Sequence, residues 1–279
     1  MGQVLRKLHE IEVERVDKDK ENGIHTVSTF PNLTELPPEL SYLILSNLNA
    51  TDLCLASCVW DDLANDELLW MGLCKNAWPY VSIYFKEKEP GFSYKKLYLR
   101  LDEAVLTFNS NPNEGIDYMI KHGLINNSPS EIARFLHKGR HIAWKAKRDY
   151  LNDRRDVLDY LIQLQSFERQ FLPNALRRFF GQIHAPNSRG SYLHVLVDKF
   201  AERFCECNPE VGLPKDSVYV ICFSLIMLSV DLSSPHVKNK MSKREFIRNT
   251  RQAAQGVNDD FAGHLYDNIY LVGHVAPEV

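Results

Sequence analysis

Apolar residues begin to recur at helical intervals about 30 residues into the chain. Within residues 1–31, the stretch Asp17–Gly23 has no apolar face, so we expect a poorly ordered arm there. Over residues 32–79, steps of three and four residues predict a compact group of short helices. The positions that set this period are Leu36, Leu40, Leu43, Ile44, Leu48, Leu53, Ala56, Trp60, Leu68, Leu69, Trp70, Leu73 and Trp78. A unit this small is marginal alone, so we expect it to share apolar surface with a neighbour or a partner.

Polar residues and prolines mark where these helices begin and where the next region starts. Pro37 and Pro38 suit a first helical turn, and Asn49 or Thr51 is suited to cap a second helix. We expect residues 80–112 to form a connector that ends at the helix breaker Asn109–Asn113. Its alternating apolar residues are compatible with a strand or a helix: Leu97, Leu99 and Leu101.

Residues 113–274 repeat the helical pattern many times. Two capping boxes are predicted, at Ser128–Glu131 and at Ser242–Glu245. Val218–Leu228 is apolar on nearly every side, so we expect it to be the central buried helix. No βαβ unit, glycine-rich phosphate loop or repeat period is recognisable. The pattern predicts an all-α fold, with a small helical unit before a multi-helix domain and a short tail at residues 275–279.

Composition limits the class of protein. The 279 residues are 44% hydrophobic and carry 33 basic and 36 acidic side chains, a net charge of −3. This balance excludes whole-chain disorder and argues against a dedicated nucleic-acid binder. Six cysteines without a Cys-x-x-Cys pair favour a reducing compartment.

Targeting signals also point to the cytoplasm. Residues 1–22 lack the apolar core of a secretory signal, and the apolar run Val218–Val230 is short for a membrane span. Met1-Gly2 invites a myristoylation reading at Gly2, but Arg6 stands where that motif has Ser or Thr. We therefore expect a cytoplasmic protein, with peripheral membrane contact left open.

Candidate catalytic and metal-binding groups are weak. His137 and His141 are four residues apart, but Lys138 replaces the glutamate of the zincin pattern. Cys205 and Cys207 would point to different faces of a helix. We expect no cofactor and no metal.

A run of basic residues follows the central apolar helix. It is either a solvated face or a surface attracted to an anionic membrane or an acidic partner. As a membrane-facing set, its members are Lys238, Lys240, Lys243, Arg244 and Arg248.

Four short motifs share one spacing between residues 33 and 78. They are Leu36-Pro37-Pro38-Glu39-Leu40, Ile44-Leu45-Ser46-Asn47-Leu48, Asp52 to Trp60, and Leu69-Trp70. Together they resemble the F-box, a helical module that docks on the Skp-one adaptor of cullin-type (SCF) ubiquitin ligases. The resemblance implies an adaptor-binding surface on Leu36, Pro37, Leu40, Ile44, Leu45, Leu48, Leu53 and Trp70.

Residues 113–274 carry a second set of motifs. The clearest are Leu225 to Lys238, Met241 to Asn249, and Phe200 to Pro209. They resemble the Sec7 (Sec-seven) domain, the helical exchange-factor module for Arf-type GTPases. The resemblance implies a GTPase-binding groove on Ile183, Pro186, Met227, Leu228, Ser229, Asp231 and Met241.

The chain departs from the Sec7 pattern where active members present a glutamate. That carboxylate enters the nucleotide site, competes with the metal ion and repels the β-phosphate. Here Pro186 aligns, but Ser188 stands at the glutamate position and Arg189 follows. No acidic residue occurs between Glu168 and Asp198, so no small shift of the alignment restores the charge.

The two resemblances lead to three functional hypotheses. The leading one is a substrate adaptor of an SCF ubiquitin ligase, whose Sec7-like domain binds or regulates an Arf-type GTPase. The main alternative is an Arf guanine-nucleotide exchange factor with an atypical site. A third is a membrane-trafficking scaffold that uses the basic face without ubiquitin.

Overall fold

Every regular element in the described part of the chain is helical, which confirms the predicted all-α class. The computed structural model describes residues 32–186 and 190–276. These residues form two compact units. The first unit comprises residues 32–77 and 88–100. The second comprises residues 78–87 and 101–276, apart from the gap at 187–189.

The first unit is a set of short helices that begin where the capping signals predicted. Pro38 is the first residue of α1, and the side chain of Asn49 accepts a hydrogen bond from the Asp52 N–H to cap α2. The elements are a 3₁₀ turn at Leu33–Glu35, α1 at Pro38–Leu45, α2 at Ala50–Ala56, α3 at Asp61–Ala64, α4 at Glu67–Ala77, and the start of α5, Tyr94–Ser110.

The second unit contains the longer helices. After a 3₁₀ turn at Ser82–Phe85 and the rest of α5, its elements are α6 Pro112–Lys121, α7 Pro129–Lys138, α8 Trp144–Asp153, α9 Arg155–Gln163, α10 Leu172–Ile183, α11 Ser191–Cys207, a 3₁₀ turn Pro209–Val211, α12 Lys215–Ser233, α13 Lys243–Ala253 and α14 Asp259–Val272.

Helix α12 is the hub of this unit, as its apolar sequence predicted. It contacts α10, α11, α13 and α14. By length and composition alone it is apolar enough to cross a membrane, but these contacts are those of a core helix. Only one face is buried, however, through residues such as Ile221 and Leu225, while Met227 is 47% exposed. The prediction of burial on nearly every side was therefore wrong for the face that carries Met227.

An aromatic cluster fills the centre of the second unit. The ring of Phe200 lies 5.2 Å from that of Phe167 and 5.1 Å from that of Phe179, and all three side chains are fully buried. Edge and tilted ring contacts at these distances add to the free energy of burial. The cluster packs α10 and α11 against the loop before α10. This packing positions the C-terminal end of α10, where the segment after Ile183 begins.

The region predicted as a connector contains a long helix. The ambiguous Leu97–Leu101 stretch is helical within α5, whose later residues Leu101, Val105 and Phe108 are buried in the second unit. The units divide between Arg100 and Leu101, ahead of the helix breaker at residues 109–113. The reason is local, because Asn111 caps α6 directly and leaves no room for a linker.

We expect a fragment of residues 113–279 to lack a cooperative thermal transition. It would lose the buried side chains of α5, and removal of one buried Phe alone costs about 3–5 kcal/mol. Typical domain stability is about 5–15 kcal/mol, so this loss would exhaust most of it. Circular dichroism melting would show a broad, non-cooperative curve for this fragment and a sigmoidal one for residues 78–279. Matching melting curves for the two fragments would contradict the assignment of α5 to the core.

One of the two predicted capping boxes forms. Ser242 and Glu245 exchange both hydrogen bonds at the start of α13, as predicted. Ser128 makes no capping bond at α7, so the box predicted there was wrong. Glu131 accepts instead from the backbone N–H of Asn126 at 2.9 Å and from its amide at 2.7 Å. The Glu131 carboxylate, which would accept from the N-cap N–H in a capping box, therefore accepts from Asn126 instead.

Candidate interaction surfaces

The first unit exposes large apolar side chains on α1 and just before it. The side chain of Ser41 faces inward, where its hydroxyl donates to the carbonyl oxygen of Leu33 at 2.7 Å. Leu40 and Ile44, four residues apart on the same helix, are 48% and 43% exposed. Leu36 and Leu43 are also exposed beside them. Several exposed apolar side chains close together in the chain are typical of an interaction site. We call these four residues the apolar row.

Three residues that we assigned to the adaptor surface are buried instead. Leu45 and Leu53 lie in the interior of the first unit. Trp70 is fully buried, its indole N–H donates to the Ala64 carbonyl oxygen at 2.9 Å, and its ring meets Tyr98 edge-on. These side chains shape the unit and do not present a surface. Of the remaining two, Pro37 is exposed and Leu48 is half-buried.

The first unit exposes further apolar side chains that our sequence reasoning did not assign to a surface. They are Leu55 and Val59 at the end of α2 and just beyond it, and Leu68 on α4. The four-residue step between Leu55 and Val59 was a usable signal, because it puts both on one side of a helical turn. The apolar surface available to a partner is thus broader than α1 alone.

The second unit carries an open groove of about 480 Å³ along the exposed face of α12. Its walls come from α11, α12, the loop before α13, and α13. The lining residues are His194, Tyr219, Val220, Phe223, Ser224, Met227, Leu228, Asp231, Met241, Phe246, Asn249 and Thr250.

Ring contacts hold one wall of the groove in place. The Phe223 ring stacks on His194 at 4.8 Å and lies 5.0 Å from Tyr219. His194 Nδ1 and the Tyr219 hydroxyl are 2.8 Å apart, within hydrogen-bond distance. Thr250 adds a buried hydroxyl that has no partner in the described residues. The groove therefore offers an ordered apolar surface with a few polar groups among its lining residues.

Met241 forms a fixed rim on the other side. Its backbone N–H donates to Asp231 Oδ2 at 2.7 Å, and its carbonyl oxygen accepts from the Tyr266 hydroxyl at 3.0 Å. The Met241 backbone is thus tied to α12 and α14 at once. A rim held in this way loses little conformational entropy when a partner binds.

The predicted GTPase-binding residues divide between the groove and the core. Met227, Leu228, Asp231 and Met241 all line the groove. Two others, Ile183 and Ser229, are buried outside the groove. Ile183 is the last residue of α10, and the Ser229 hydroxyl donates to the Ile226 carbonyl oxygen of its own helix at 2.8 Å. Sequence reasoning missed the members Tyr219, Phe223, His194, Asn249 and Thr250. The four-residue steps from Tyr219 through Phe223 to Met227 carried the signal for the first two.

The segment that would hold the catalytic glutamate begins in an unusual backbone conformation. His184 follows α10 with a φ of 61°, in the left-handed region that non-glycine residues rarely adopt. Its ring lies 5.1 Å from that of Trp144. Pro186 is half-buried, and Ser188 lies outside the described residues. The strain at His184 directs the chain out of α10 just before that segment.

Two of the five basic residues predicted to face a membrane form contacts within the protein. The ammonium of Lys240 donates to the backbone carbonyl oxygens of Asp231, at 2.6 Å, and Ser234, so this exposed side chain closes the loop after α12. Lys243 forms an ion pair with Asp267 at 2.7 Å. Lys238, Arg244 and Arg248 are exposed and form no salt bridge within residues 32–186 and 190–276. Of the five predicted membrane-facing residues, only these three are exposed basic side chains without such an intramolecular partner among the described residues.

The candidate metal groups do not come together. His137 lies on α7, whereas His141 follows the end of that helix and has a positive φ of 62°, so the two do not share a helix face. Among the described residues, no group of three or more His, Cys, Asp or Glu side chains has the arrangement of a metal site.

Comparisons with known proteins add two family matches. The model of the Sec7 domain family matches residues 98–271, and the F-box-like model matches residues 33–76. The protein named F-box only protein 8 from Homo sapiens is 64% identical over 251 residues, which cover 88% of this chain and 79% of that protein. Cytohesin-2 from Mus musculus is 35% identical over 168 residues, covering 58% of this chain and 42% of that protein.

Solved structures resemble the second unit. The Sec7p catalytic domain matches with a TM-score of 0.55 and 33% identity, over 61% of this chain and 95% of that one. A Sec7 domain bound to ARF1-GDP and complexed with Brefeldin A matches with a TM-score of 0.57 and 25% identity, over 62% and 91% of the two chains.

Proposed function

The chain belongs to the Sec7 domain family and carries an F-box-like segment ahead of that domain, and on this premise we propose that it is a substrate adaptor of an SCF-type ubiquitin ligase. Its F-box-like unit would dock on the Skp-one adaptor and so reach the cullin. Its Sec7 domain would bind an Arf-type GTPase, as ubiquitination target or as regulator.

The apolar row carries the adaptor proposal. Leu36, Leu40, Leu43 and Ile44 are exposed on a unit with little core of its own. Burial of this surface against a partner would return about 25 cal/mol for each Å² of apolar area. The direct test mixes the purified chain with purified Skp-one adaptor on a gel-filtration column. We expect the two to co-elute, and separate elution at micromolar concentration would contradict the proposal.

The groove along α12 supports the GTPase proposal. It is apolar over most of its lining, its rim is fixed, and its position on a Sec7 domain fits a GTPase partner. Among the similar structures is a Sec7 domain bound to ARF1-GDP. We propose that this groove binds the Arf-type GTPase through Met227, Leu228 and Met241.

We expect Met227→Asp to weaken GTPase binding at least tenfold. The side chain is 47% exposed on the groove, so the substitution should leave the fold intact while placing a carboxylate against a buried apolar surface. Titration calorimetry with a nucleotide-free Arf-type GTPase measures the effect. Leu106→Asp is the matched control, because Leu106 is an exposed apolar residue of the same unit that does not line the groove. Equal losses in both variants would remove the groove as the binding site.

Nucleotide exchange is the second candidate function. The Sec7 domain match favours it. The absence of any acidic residue between Glu168 and Asp198 opposes it, because no carboxylate from that segment can reach the nucleotide. We therefore propose that this chain binds the GTPase but catalyses nucleotide exchange weakly or not at all.

We propose a cytoplasmic location with peripheral contact to anionic membranes. Lys238, Arg244 and Arg248 support this, since each exposed cation near an anionic surface contributes about 1 kcal/mol. Association with anionic vesicles should fall steeply as salt rises. Equal association with neutral vesicles would leave only a solvated face.

A further inference from the structure

A short segment that belongs to neither family match packs on the second unit. The F-box-like match ends at residue 76 and the Sec7 match begins at 98. Within that interval, Trp78 and Val81 are buried. The Ser82 hydroxyl donates to the Leu124 carbonyl oxygen at 3.3 Å, and the Lys86 ammonium donates to the Gly123 carbonyl oxygen at 2.9 Å. The segment 78–87 is therefore anchored along its length.

This anchoring holds two aromatic side chains in solvent. Phe85 is 87% exposed and Tyr80 is half exposed, although Trp78 and Val81 of the same segment are buried. They border a groove of about 590 Å³ whose opposite wall is α7. The lining residues are Tyr80, Val81, Ser82, Phe85, Glu131, Arg134, His137, Lys138 and Leu164. None of them lines the groove along α12, so the two grooves are separate surfaces.

The groove is lined by two cationic side chains and one carboxylate, so its charge at pH 7 is positive overall. Arg134 and Lys138 lie four residues apart on α7, are exposed, and form no salt bridge there. Burial, with Lys138, Lys147 and Arg178 nearby, lowers the pKa of His137 to about 4, so this imidazole is neutral at pH 7.

The carboxylate of Glu131 keeps its negative charge but makes its hydrogen bonds within its own loop. Both oxygens of Glu131 accept hydrogen bonds from Asn126, at 2.9 Å from its N–H and at 2.7 Å from its amide. The carboxylate is therefore held by its own loop, and it does not pair with Arg134 or Lys138. The groove keeps a net positive wall that faces two exposed aromatic rings.

We propose that this groove binds an acidic peptide segment that carries at least one large apolar side chain. Carboxylates would pair with Arg134 and Lys138, where charge-assisted hydrogen bonds are strongest. The apolar side chain would fill the space bounded by Phe85, Tyr80 and Leu164. A concave site of this volume suits inserted side chains, whereas a lipid surface is contacted by convex faces.

A ubiquitin-ligase adaptor needs a surface that recognises its substrate, and this groove lies outside both the F-box-like match and the groove along α12. The inference that the groove recognises the adaptor's substrate rests on the proposed function. The inference that the groove binds a peptide depends only on the contacts described above. The two are separable, because Leu40→Asp/Ile44→Asp should abolish adaptor binding and leave peptide binding unchanged.

The test uses the full-length chain and a random ten-residue peptide library displayed on phage. We expect enrichment of peptides with two or more acidic residues and one large apolar residue. A synthetic copy of the most enriched peptide, titrated by fluorescence anisotropy, should bind about tenfold more weakly to Arg134→Gln/Lys138→Gln and to Phe85→Ser. Binding should also weaken as salt rises.

Two matched controls accompany these variants. Lys96→Gln/Arg100→Gln neutralises two exposed basic residues at the same four-residue step on α5, and Leu271→Ser removes an exposed apolar side chain of α14. Both should bind the peptide as the unmodified chain does. The proposal is overturned if the enriched peptides are not acidic, if no peptide is enriched, or if the groove variants retain full affinity. It is also overturned if the groove variants lose only binding to anionic vesicles, which would assign the groove to a membrane.

Discussion

Replacement of Leu40 and Ile44 together by Asp should weaken binding of the Skp-one adaptor at least hundredfold. Both side chains are about half exposed on α1, so neither substitution removes a core contact. In the complex, each site would lose an apolar contact worth about 1.5–3 kcal/mol. Each would also bury a carboxylate with no partner of opposite charge. Titration calorimetry with purified adaptor measures the change.

The control for this variant separates a lost surface from a lost fold. Leu106→Asp places the same charge on an exposed apolar site outside the F-box-like unit, and should bind the adaptor normally. Trp70→Ala should abolish binding too, but through unfolding, because Trp70 is fully buried and truncation of such a side chain costs about 3–5 kcal/mol. Circular dichroism distinguishes the two causes. Full affinity in a folded Leu40→Asp/Ile44→Asp variant would show that the docking face lies elsewhere.

The unmodified chain should release nucleotide from an Arf-type GTPase about a thousandfold more slowly than a Sec7 domain that carries the glutamate. Two charges about 4 Å apart interact by about 4 kcal/mol at an effective dielectric near 20. That energy corresponds to about three orders of magnitude in rate. The neutral hydroxyl of Ser188 cannot supply this repulsion of the phosphate. Release of a fluorescent nucleotide at equal protein concentrations measures the rate.

Restoration of the carboxylate should raise the exchange rate at least tenfold. The variant is Asn187→Gly with Ser188→Glu, and Ser188→Gln is its control because it has the same size and no charge. We expect the glutamate variant alone to gain activity. Robust exchange by the unmodified chain that Ser188→Ala does not reduce would contradict the argument. Another group, from outside this segment, would then act on the phosphate and the metal ion.

The helical framework could be predicted from the sequence because its signals are local. Asn49 and Ser242 cap helices through bonds to residues three positions away, so the cap and its partner are visible in one short stretch. The hub position of α12 followed from its length and apolar composition. These features depend on little outside their own segments.

The interaction surfaces were harder to predict, because their residues are sorted by contacts that are distant in sequence. The helical period groups Leu40 and Trp70 as apolar, but only the packing of α4 on α5 shows that Trp70 faces inward. In the sequence Lys240 is one member of a basic run, and only the folded loop shows that its ammonium donates to two backbone carbonyl oxygens of the preceding segment. The groove around Phe85 depends on hydrogen bonds across about 40 residues, which no periodicity reveals.

A reconstitution of three purified proteins tests the central proposal most directly. The full-length chain, Skp-one adaptor and a nucleotide-free Arf-type GTPase are mixed and measured by gel filtration with light scattering. An adaptor that presents a GTPase to a ubiquitin ligase must hold both partners at once, so we predict a single peak with the mass of one copy of each. Displacement of the adaptor by the GTPase, or a peak that lacks either protein, would contradict the proposal.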